Sequence, residues 1–235
     1  MLRGRRVAAA ALIALLLTSG CVSEKVAGTP HSDSKPKPPL LEPDQIEGLL
    51  PTAQATAEVV DGPQIKIVEN TKAIQAFPDW FSSDPSCLAV VFEATEREYQ
   101  SSGYGAVRGY TLAEVGGDHQ HLVGEAVVLF HTSLDADRQV SRTNQNLSKC
   151  ANKLVTFHPS GTPPQSYLAD SPKAVDDVNT LFSSEEGSAG WGCSHAITSR
   201  LNAVIDVRVC SRAGEADLTH QTTTLVHMIA AKTPT

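Results

Sequence analysis

The sequence is poor in aromatic side chains, in basic runs and in long apolar segments. Aromatic residues make up only 5% of the chain, which weakens any interpretation based on stacked sugars or nucleic-acid bases. Acidic residues outnumber basic ones by 26 to 19, and no stretch concentrates Lys and Arg, so nucleic acids and anionic membrane surfaces are disfavoured as partners. The apolar run at residues 7–17 is too short to cross a bilayer. Small, charged or lipidic ligands stay open.

The sequence also lacks a recognisable catalytic arrangement. A serine or cysteine hydrolase needs a nucleophile on a strained turn, a base and an orienting acid. The nearest approach is the segment Gly-Cys-Ser-His at 192–195. Cys193 is better explained as a disulfide partner, and Ser194 is expected to face the packed side of a hairpin. We therefore predict a protein that is not an enzyme and has no catalytic residues.

Two histidines raise the question of a metal site. His119 and His121 lie beside Asp118 at a spacing that two imidazole ligands of a metal can use. A third ligand, such as His131 or Glu125, would have to come from another segment. Because neither spacing nor composition demands a metal, we favour a solvated loop with incidental histidines, and we expect no metal and no cofactor.

The N-terminus has the features of an export signal. Residues 1–20 contain three arginines, then the apolar run, then small residues. Ser19, Gly20 and Cys21 resemble the bacterial lipobox, in which the cysteine is lipid-modified and becomes the mature N-terminus, although Thr18 stands where Leu is usual. We predict a lipoprotein signal peptide over 1–20 and lipidation of Cys21, which would hold the protein on the membrane. The alternative is a plain secretory cleavage that leaves a free thiol.

A tether and a single domain are expected to follow the signal. Residues 21–40 are rich in Pro, Ser, Lys and Gly and include KPKPP at 35–39. Such a segment cannot bury enough surface to order itself, so it is predicted to be a disordered tether. Residues 41–235 are expected to form one folded domain. Loss of the three signal arginines leaves 16 basic and 26 acidic residues, a net charge of −10.

The stretch from Trp191 to Cys210 is predicted to form a disulfide-closed hairpin. If Leu201 and Asn202 form a two-residue turn, Cys193 lies directly opposite Cys210. Opposed antiparallel residues lie about 4.5 to 5.5 Å apart, within the Cα separation that a disulfide tolerates. Leu201 is a poor residue for the positive φ that such a turn requires, and a longer loop would shift the register.

The hairpin is expected to have one packed face and one half-polar face. The polar face would present His195, Asp206 and Arg208, which are candidate ligand-binding residues, and the favoured alternative is a solvated cross-strand charge pair on an edge hairpin. Arg108, on another predicted strand, is a fourth candidate, because a guanidinium in a polar cleft binds carboxylate or phosphate with two parallel hydrogen bonds. The alternative for Arg108 is a structural salt bridge to Asp206 or Glu125.

The cysteines beyond Cys21 form an even set in an exported chain. Cys87, Cys150, Cys193 and Cys210 allow three pairings. The hairpin geometry favours Cys193 with Cys210, which leaves Cys87 with Cys150. No CxxC spacing occurs, so structural disulfides are favoured over redox or zinc chemistry.

Apolar periodicity and turn signals predict the other elements. A helix beginning at a Ser133 cap is expected to run to about Lys149. Other helices are expected at 41–50 and 215–232, with one or two helical turns within 85–99. Strands are expected at 64–69, 106–112, 122–131, 153–158, 165–169 and 178–184.

Several ordered motifs resemble the PknH-like extracellular sensor domain, a family found on mycobacterial receptor serine/threonine kinases and on several mycobacterial lipoproteins. The resemblance covers about residues 40–232 and rests on SDPSC at 83–87, AVRGYTL at 106–112, EAVVLF at 125–130, KCANK at 149–153, and WGCSHAI with NAVIDVRVC in the hairpin. It implies an α+β fold, with an antiparallel β-sheet, flanking helices, two disulfides in the pairing above, and a single domain with a cleft. It also implies a location outside the plasma membrane.

These features together predict a lipoprotein anchored on the extracytoplasmic face of the cell membrane. Its domain is expected to bind an unidentified small molecule or lipid in a cleft lined by Arg108, His195, Asp206 and Arg208. The alternative is an adaptor that binds an envelope protein, such as a receptor kinase ectodomain of the same family. No nucleic-acid partner is expected.

Overall fold

The computed structural model describes residues 38–116 and 119–234. The predicted signal peptide at 1–20, the lipidation site Cys21, the tether as far as residue 37, and Asp118 beside the two histidines lie outside the described residues. The part of the chain that is described forms one compact unit.

One antiparallel sheet organises this unit and confirms the expected α+β fold. Its strand order is β1-β2-β3-β9-β8-β7-β5-β4, with the short β6 paired to β7, so β9 and β8 occupy the middle. The strands in the described ranges are β1 (Ile65–Thr71), β2 (Ala106–Glu114), β3 (His121–Leu129), β4 (Leu154–Phe157), β5 (Gln165–Ala169), β6 (Lys173–Val175), β7 (Val178–Glu185), β8 (Gly192–Arg200) and β9 (Ala203–Ser211).

Helices flank the sheet on both faces. The α-helices of the described segments are α1 (Ala53–Val60), α2 (Glu96–Tyr99), α3 (Ser133–Cys150) and α4 (Glu215–Ala230), and short 3-10 helices cover Glu47–Leu49, Asp79–Phe81 and Pro85–Val90. The N-cap of α3 is Thr132, one residue before the predicted Ser133. The Thr132 hydroxyl accepts a hydrogen bond from the Asp135 backbone N–H at 3.1 Å.

The prediction of a helix over residues 41–50 was wrong. Only one 3-10 turn forms there, and the helix begins after Pro51 as α1, which the sequence reasoning did not identify. The Thr52 side chain caps α1 by accepting from the Ala55 backbone N–H at 3.2 Å. The apolar residues of the 41–50 segment pack instead as an irregular chain: Leu41, Ile46, Leu49 and Leu50 are all buried in the core.

The central hairpin has the predicted register. Leu201 and Asn202 form the two-residue turn between β8 and β9, and Cys193 pairs directly with Cys210. Leu201 adopts a φ of +52°, a conformation that is strained for a leucine. Asn202 is buried, and its carboxamide binds the backbone N–H and C=O of Leu41 and the C=O of Phe130. These hydrogen bonds fix the turn against two other parts of the chain.

Both predicted disulfides are present. Cys193 and Cys210 have a Cα separation of 4.0 Å across the two central strands, and Cys87 and Cys150 have one of 5.7 Å. The second bond ties the 3-10 helix Pro85–Val90 to the last residue of α3. These two helices therefore cover one face of the sheet as a linked pair.

The hairpin lies in the interior of the molecule, which corrects the expectation of a half-polar, solvated face. Every residue of β9 is buried. One face of β9 carries Ile205, Val207 and Val209, which share an apolar core with Leu218 and Leu225 of α4. The opposite face lies beneath α3 and the 3-10 helix Pro85–Val90, and it carries the charged residues of the hairpin. Their charges must therefore be satisfied inside the protein.

Candidate functional site

A cleft of about 560 Å³ opens where β8 begins and β9 ends, on the face of the sheet that carries Arg208. This volume lies within the range of about 300 to 1,000 Å³ that is usual for small-molecule pockets. The walls combine apolar and aromatic side chains with a few polar ones. The lining residues are Val91, Phe92, His119, Gln120, Leu122, Gln165, Tyr167, Glu185, Ser188, Trp191, Arg208, Cys210 and Arg212.

The floor of the cleft follows from strand geometry. Arg208, Cys210 and Arg212 alternate along β9 and just past its end, so they project from one face. Arg208 is 4% exposed and lies at the inner end, whereas Arg212 is exposed at the mouth. Between them, Cys210 pairs with Leu122 of β3, and together they give the floor an apolar centre.

Arg208 is held in the floor by two contacts. Its Nε atom lies 3.0 Å from Oε2 of Glu93, and its guanidinium lies 5.6 Å from the ring centre of Phe92. The Glu93 carboxylate is itself buried and accepts a hydrogen bond from Gln75 Nε2 at 2.8 Å. The Nε approach lacks hydrogen-bond alignment, and neither Nη group hydrogen bonds to a residue of 38–116 or 119–234. The Nη donors of Arg208 are therefore available to a ligand.

Gly124 makes room for this ion pair. It pairs with Arg208 across β3 and β9, and a Cβ at position 124 would lie 2.1 Å from the Glu93 carboxyl carbon. Only a residue without a side chain lets the Glu93 carboxylate lie flat against the sheet beside Arg208.

His195 and Asp206 form a second buried network behind Arg208. The His195 Nε2–H donates to Asp206 Oδ1 at 2.5 Å, and the Tyr99 hydroxyl donates to Oδ2 at 2.8 Å. The Ala94 backbone N–H adds a third hydrogen bond to this carboxylate at 3.1 Å. His195 is 1% exposed and Asp206 is 2% exposed, and neither side chain lines the cleft. They are placed to support the floor.

The buried network shifts the proton affinities of its members. Desolvation alone would lower the pKa of His195, but the charge and hydrogen bond of Asp206, together with Glu93 and Glu98, raise it above its usual value. Burial and the adjacent Asp206 carboxylate raise the pKa of Tyr99. The Asp206 carboxyl group contributes to both of these shifts.

The structure does not bring Arg108 together with the other three candidates. Arg108 pairs with Val127 on β3, which pairs with Ile205 on β9, so Arg108 lies on the face covered by α4. Its Nε lies 3.6 Å from Glu47 Oε2, which is neither of the two salt-bridge partners considered from the sequence. Of the four predicted residues, only Arg208 lines the cleft.

The mouth of the cleft is a mixed aromatic and charged rim. The Arg212 guanidinium lies 5.9 Å from the ring centre of Trp191, and its Nη1 donates to Gln120 Oε1 at 3.3 Å. Across from them stand Tyr167 and Glu185, which pair between β5 and β7. Burial raises the pKa of both the Glu185 carboxyl and the Tyr167 hydroxyl.

Among the described residues, the histidines do not come together as a metal site, and neither of the possible nucleophiles, Ser194 and Cys193, is available to a histidine base. His121 Nδ1 lies 2.7 Å from Glu114 Oε1, while His119 lines the cleft. Within 38–116 and 119–234, no three His, Cys, Asp or Glu side chains come close enough to hold a metal ion. Ser194 pairs with Val209 and so lies on the α4 face, away from His195. Cys193 is in its disulfide.

Several cleft residues were not identified from the sequence. Phe92 and Glu93 follow the 3-10 helix Pro85–Val90 in an irregular segment, so no periodicity marked their direction. Trp191 is the first residue of the predicted hairpin stretch and has no predicted site role, and Arg212 lies two residues past its end, where the same alternation that gave Arg208 would have placed it on the same face. Tyr167 depends on a strand pairing that only the folded sheet supplies.

Comparison with known proteins assigns the family. The sequence model of the PknH-like extracellular domain matches residues 41–232. The chain belongs to this family. The crystal structure of the extracellular domain of PknH from Mycobacterium tuberculosis superposes with a TM-score of 0.76 at 23% identity, covering 83% of this chain and 97% of that one. The likeness confirms the fold, including the antiparallel sheet.

The matching relatives are much longer than this chain. It is 27% identical over 226 residues to the serine/threonine-protein kinase PknH of Mycobacterium bovis, covering 96% of this chain and 36% of the relative. The same kinase in Mycobacterium tuberculosis strain CDC 1551 is also 27% identical, with 96% and 34% covered. The chain therefore spans about a third of these relatives, and the kinase activity is theirs.

The PknH-like extracellular family indicates an extracytoplasmic location for the domain. Among the helices of residues 38–116 and 119–234, none has the length and apolar character needed to span a membrane.

Proposed function

We propose that this protein is a lipid-anchored lipoprotein of the cell envelope whose PknH-like extracellular domain binds a small molecule or lipid without catalysing a reaction. The observation that carries the proposal is the 560 Å³ cleft with Arg208 in its floor. The Arg208 Nη groups face this ligand-sized cavity without a protein acceptor among the described residues, so they are free to bind an anionic or polar group. Aromatic side chains around it supply the apolar contact area that small-molecule sites use.

The lipid anchor rests on the Ser19-Gly20-Cys21 sequence at the end of the export signal. Substitution Cys21→Ser should release the protein from the membrane fraction, because a hydroxyl cannot form the thioether that carries the lipid. Fractionation of the cells and mass spectrometry of the N-terminal peptide test this directly. A Cys21→Ser protein that stays in the membrane fraction would contradict the anchor and favour another attachment, whereas a wild-type protein that is itself absent from that fraction would favour plain secretion.

Native mass spectrometry of the protein purified from its own envelope tests the cleft. The expected result is a complex heavier than the protein alone, which releases a small molecule or lipid on denaturation. The matched control is the variant Trp191→Ala, which removes one wall of the cleft and should lose the bound mass. A native mass equal to that of the protein alone in every preparation would overturn the proposal. Cross-linking in intact cells would then test the alternative role, an adaptor that binds an envelope protein.

A further inference from the structure

We propose that the cleft is selective for an amphipathic anion, a carboxylate or phosphate group attached to an apolar chain or ring. This inference rests on the ligand-binding function proposed above and adds the chemical class. The anionic group would bind the Arg208 guanidinium at the inner end, with Arg212 adding charge attraction from the mouth, and the apolar part would lie on Leu122, Cys210 and the aromatic rim.

The charge of the lining is the first argument. Among the lining residues the charged side chains are Arg208, Arg212 and Glu185, and Glu93 lies against Arg208 just behind the lining, so these four groups carry no net formal charge. The whole chain carries −7. A cavity without net negative charge is a local feature in an acidic protein, and it repels an anion less than the rest of the surface does.

The hydrogen-bonding state of Arg208 is the second argument. Its Nε faces Glu93, and its two Nη groups have no hydrogen-bond acceptor among the described residues although the residue is only 4% exposed. A guanidinium presents parallel N–H groups that match the two oxygens of a carboxylate or phosphate. Glu93 already balances the charge of Arg208, so an incoming anion mainly gains hydrogen bonds there and gains charge pairing from Arg212 at the mouth.

The apolar floor is the third argument, and it excludes a simple inorganic anion. Between Arg208 and Arg212 lies the Cys193–Cys210 disulfide with Leu122 beside it, and Trp191 and Tyr167 stand above. An inorganic phosphate would leave this surface uncovered. An anion with an apolar body covers it and gains about 25 cal/mol for each Å² of apolar surface removed from water.

Tryptophan fluorescence provides the test, because Trp191 lines the cleft and the only other tryptophan, Trp80, is 62% exposed. The protein would carry Cys21→Ser, so that no acyl anchor competes for the cleft, and Trp80→Phe, so that Trp191 alone reports. The probes are decanoate and decyl phosphate, titrated below their micelle concentrations, decanol, titrated below its solubility limit, and acetate. Decanoate and decanol share one chain and differ in charge, whereas acetate keeps the charge and lacks the chain.

The expected result is that decanoate or decyl phosphate binds at least about tenfold more tightly than decanol, and that acetate fails to bind. Comparison of the two anions then identifies a carboxylate or a phosphate as the preferred group. Arg212→Gln should weaken the binding of both anions by about tenfold and leave the affinity for decanol unchanged. The double variant Arg208→Gln with Glu93→Gln removes the buried pair as a unit and should have the same selective effect.

Arg200→Gln is the matched control, since Arg200 is exposed at the far end of β8 and should leave every probe unaffected. Thermal unfolding checks that each variant is folded. If the double variant does not fold, Arg212→Gln alone tests the role of the arginines. The inference would be overturned if decanol and decanoate bound equally well, or if neither the Arg212 variant nor the double variant changed the affinity for the anions. If no probe binds while a molecule still co-purifies with the native protein, the chemical class is wrong and the binding function stands.

Discussion

At the scale of single residues, Gly124 gives the sharpest test of the buried ion pair. Gly124→Ala places a methyl group where the Glu93 carboxylate lies, so Glu93 must move away from Arg208. Separating a buried ion pair leaves both charges poorly compensated and typically costs about 3 to 5 kcal/mol. We expect the variant to lose about that much free energy of unfolding, as measured by urea denaturation.

Gly48→Ala provides the control for this substitution. Gly48 lies in the first 3-10 helix, where an added Cβ meets no atom within 4 Å. The same change of residue type should therefore alter stability by no more than about 0.5 kcal/mol. A Gly124→Ala protein as stable as the Gly48→Ala protein would show that the Glu93 position is not fixed by the absence of a side chain at position 124.

The buried side chain of Asn202 in the hairpin turn gives a second prediction for a single residue. Its carboxamide hydrogen bonds to Leu41 and Phe130 are buried, so Asn202→Ala leaves three backbone groups without a partner. Each unsatisfied buried group costs about 1 to 3 kcal/mol, and we expect a total loss of at least about 2 kcal/mol in a denaturation experiment. The exposed Asn70→Ala is the comparison. Equal stability of the two variants would contradict the role assigned to the turn.

At the scale of secondary-structure elements, the hairpin shows what the sequence determines locally. A two-residue turn fixes the register of its two strands, so the pairs Cys193–Cys210 and His195–Arg208 could be predicted by counting outward from the turn. Leu201 is unsuited to its φ of +52°, and the hairpin still forms, because the surrounding sheet and the Asn202 hydrogen bonds hold the turn. Local propensity was overridden by packing at this position.

Arg108 shows where the same reasoning fails. Its face depends on the register of β2 against β3 and of β3 against β9, and the second of these connections joins strands that lie far apart in the sequence. A shift of one residue at either interface reverses the face on which Arg108 projects. The sequence contains no turn that fixes the β3–β9 register. The sequence alone therefore could not show whether Arg108 lines the cleft.

The two disulfides should differ in their contribution to stability. Cys193 and Cys210 are 17 residues apart, and Cys87 and Cys150 are 63 apart. The loop-closure model gives about 3 kcal/mol for the shorter loop and about 4 kcal/mol for the longer one. Replacing each pair by two alanines should therefore lower the thermal midpoint in both cases, and more for Cys87→Ala with Cys150→Ala.

Calorimetry of the two double variants under identical conditions makes this comparison. The central strands keep their backbone hydrogen bonds without the Cys193–Cys210 bond, whereas the 3-10 helix Pro85–Val90 has few backbone bonds of its own. A protein as stable without Cys87–Cys150 as with it would show that this helix is held on the sheet by packing alone.

At the scale of the whole molecule, several ionisable groups are buried on both faces of one sheet. Glu98 and His195 lie on the α3 side, and Glu125 lies on the α4 side, where it accepts a hydrogen bond from Thr56 Oγ1 at 2.7 Å. The pKa of each of these three groups is raised in the folded protein, mainly by burial for the two carboxyls and by Asp206 against burial for His195. Folding therefore increases their proton affinity together.

The sign of this linkage predicts that the free energy of unfolding falls as pH rises from about 5 to about 8. Between the unfolded and folded pKa values of a raised group, the folded state holds more protons, so raising the pH favours unfolding. Glu125, whose pKa rises from 4.5 to about 7, contributes a loss of about 3 kcal/mol across that interval. The contribution of His195 is complete below its unfolded value of 6.5 and is lost as pH passes its higher folded value.

Urea denaturation at a series of pH values measures how the free energy of unfolding changes with pH. The variant Glu125→Gln isolates the contribution of Glu125 to that change. The amide stays neutral, so the variant should lose much of the pH dependence and should exceed the wild-type protein in stability at pH 8. Glu58→Gln, on the exposed face of the same α1 that carries Thr56, should leave the slope unchanged. A wild-type stability that rises steadily from pH 5 to 8 would mean that the buried carboxyls are ionised in the folded protein, and that the two faces of the sheet tolerate charge far better than their burial implies.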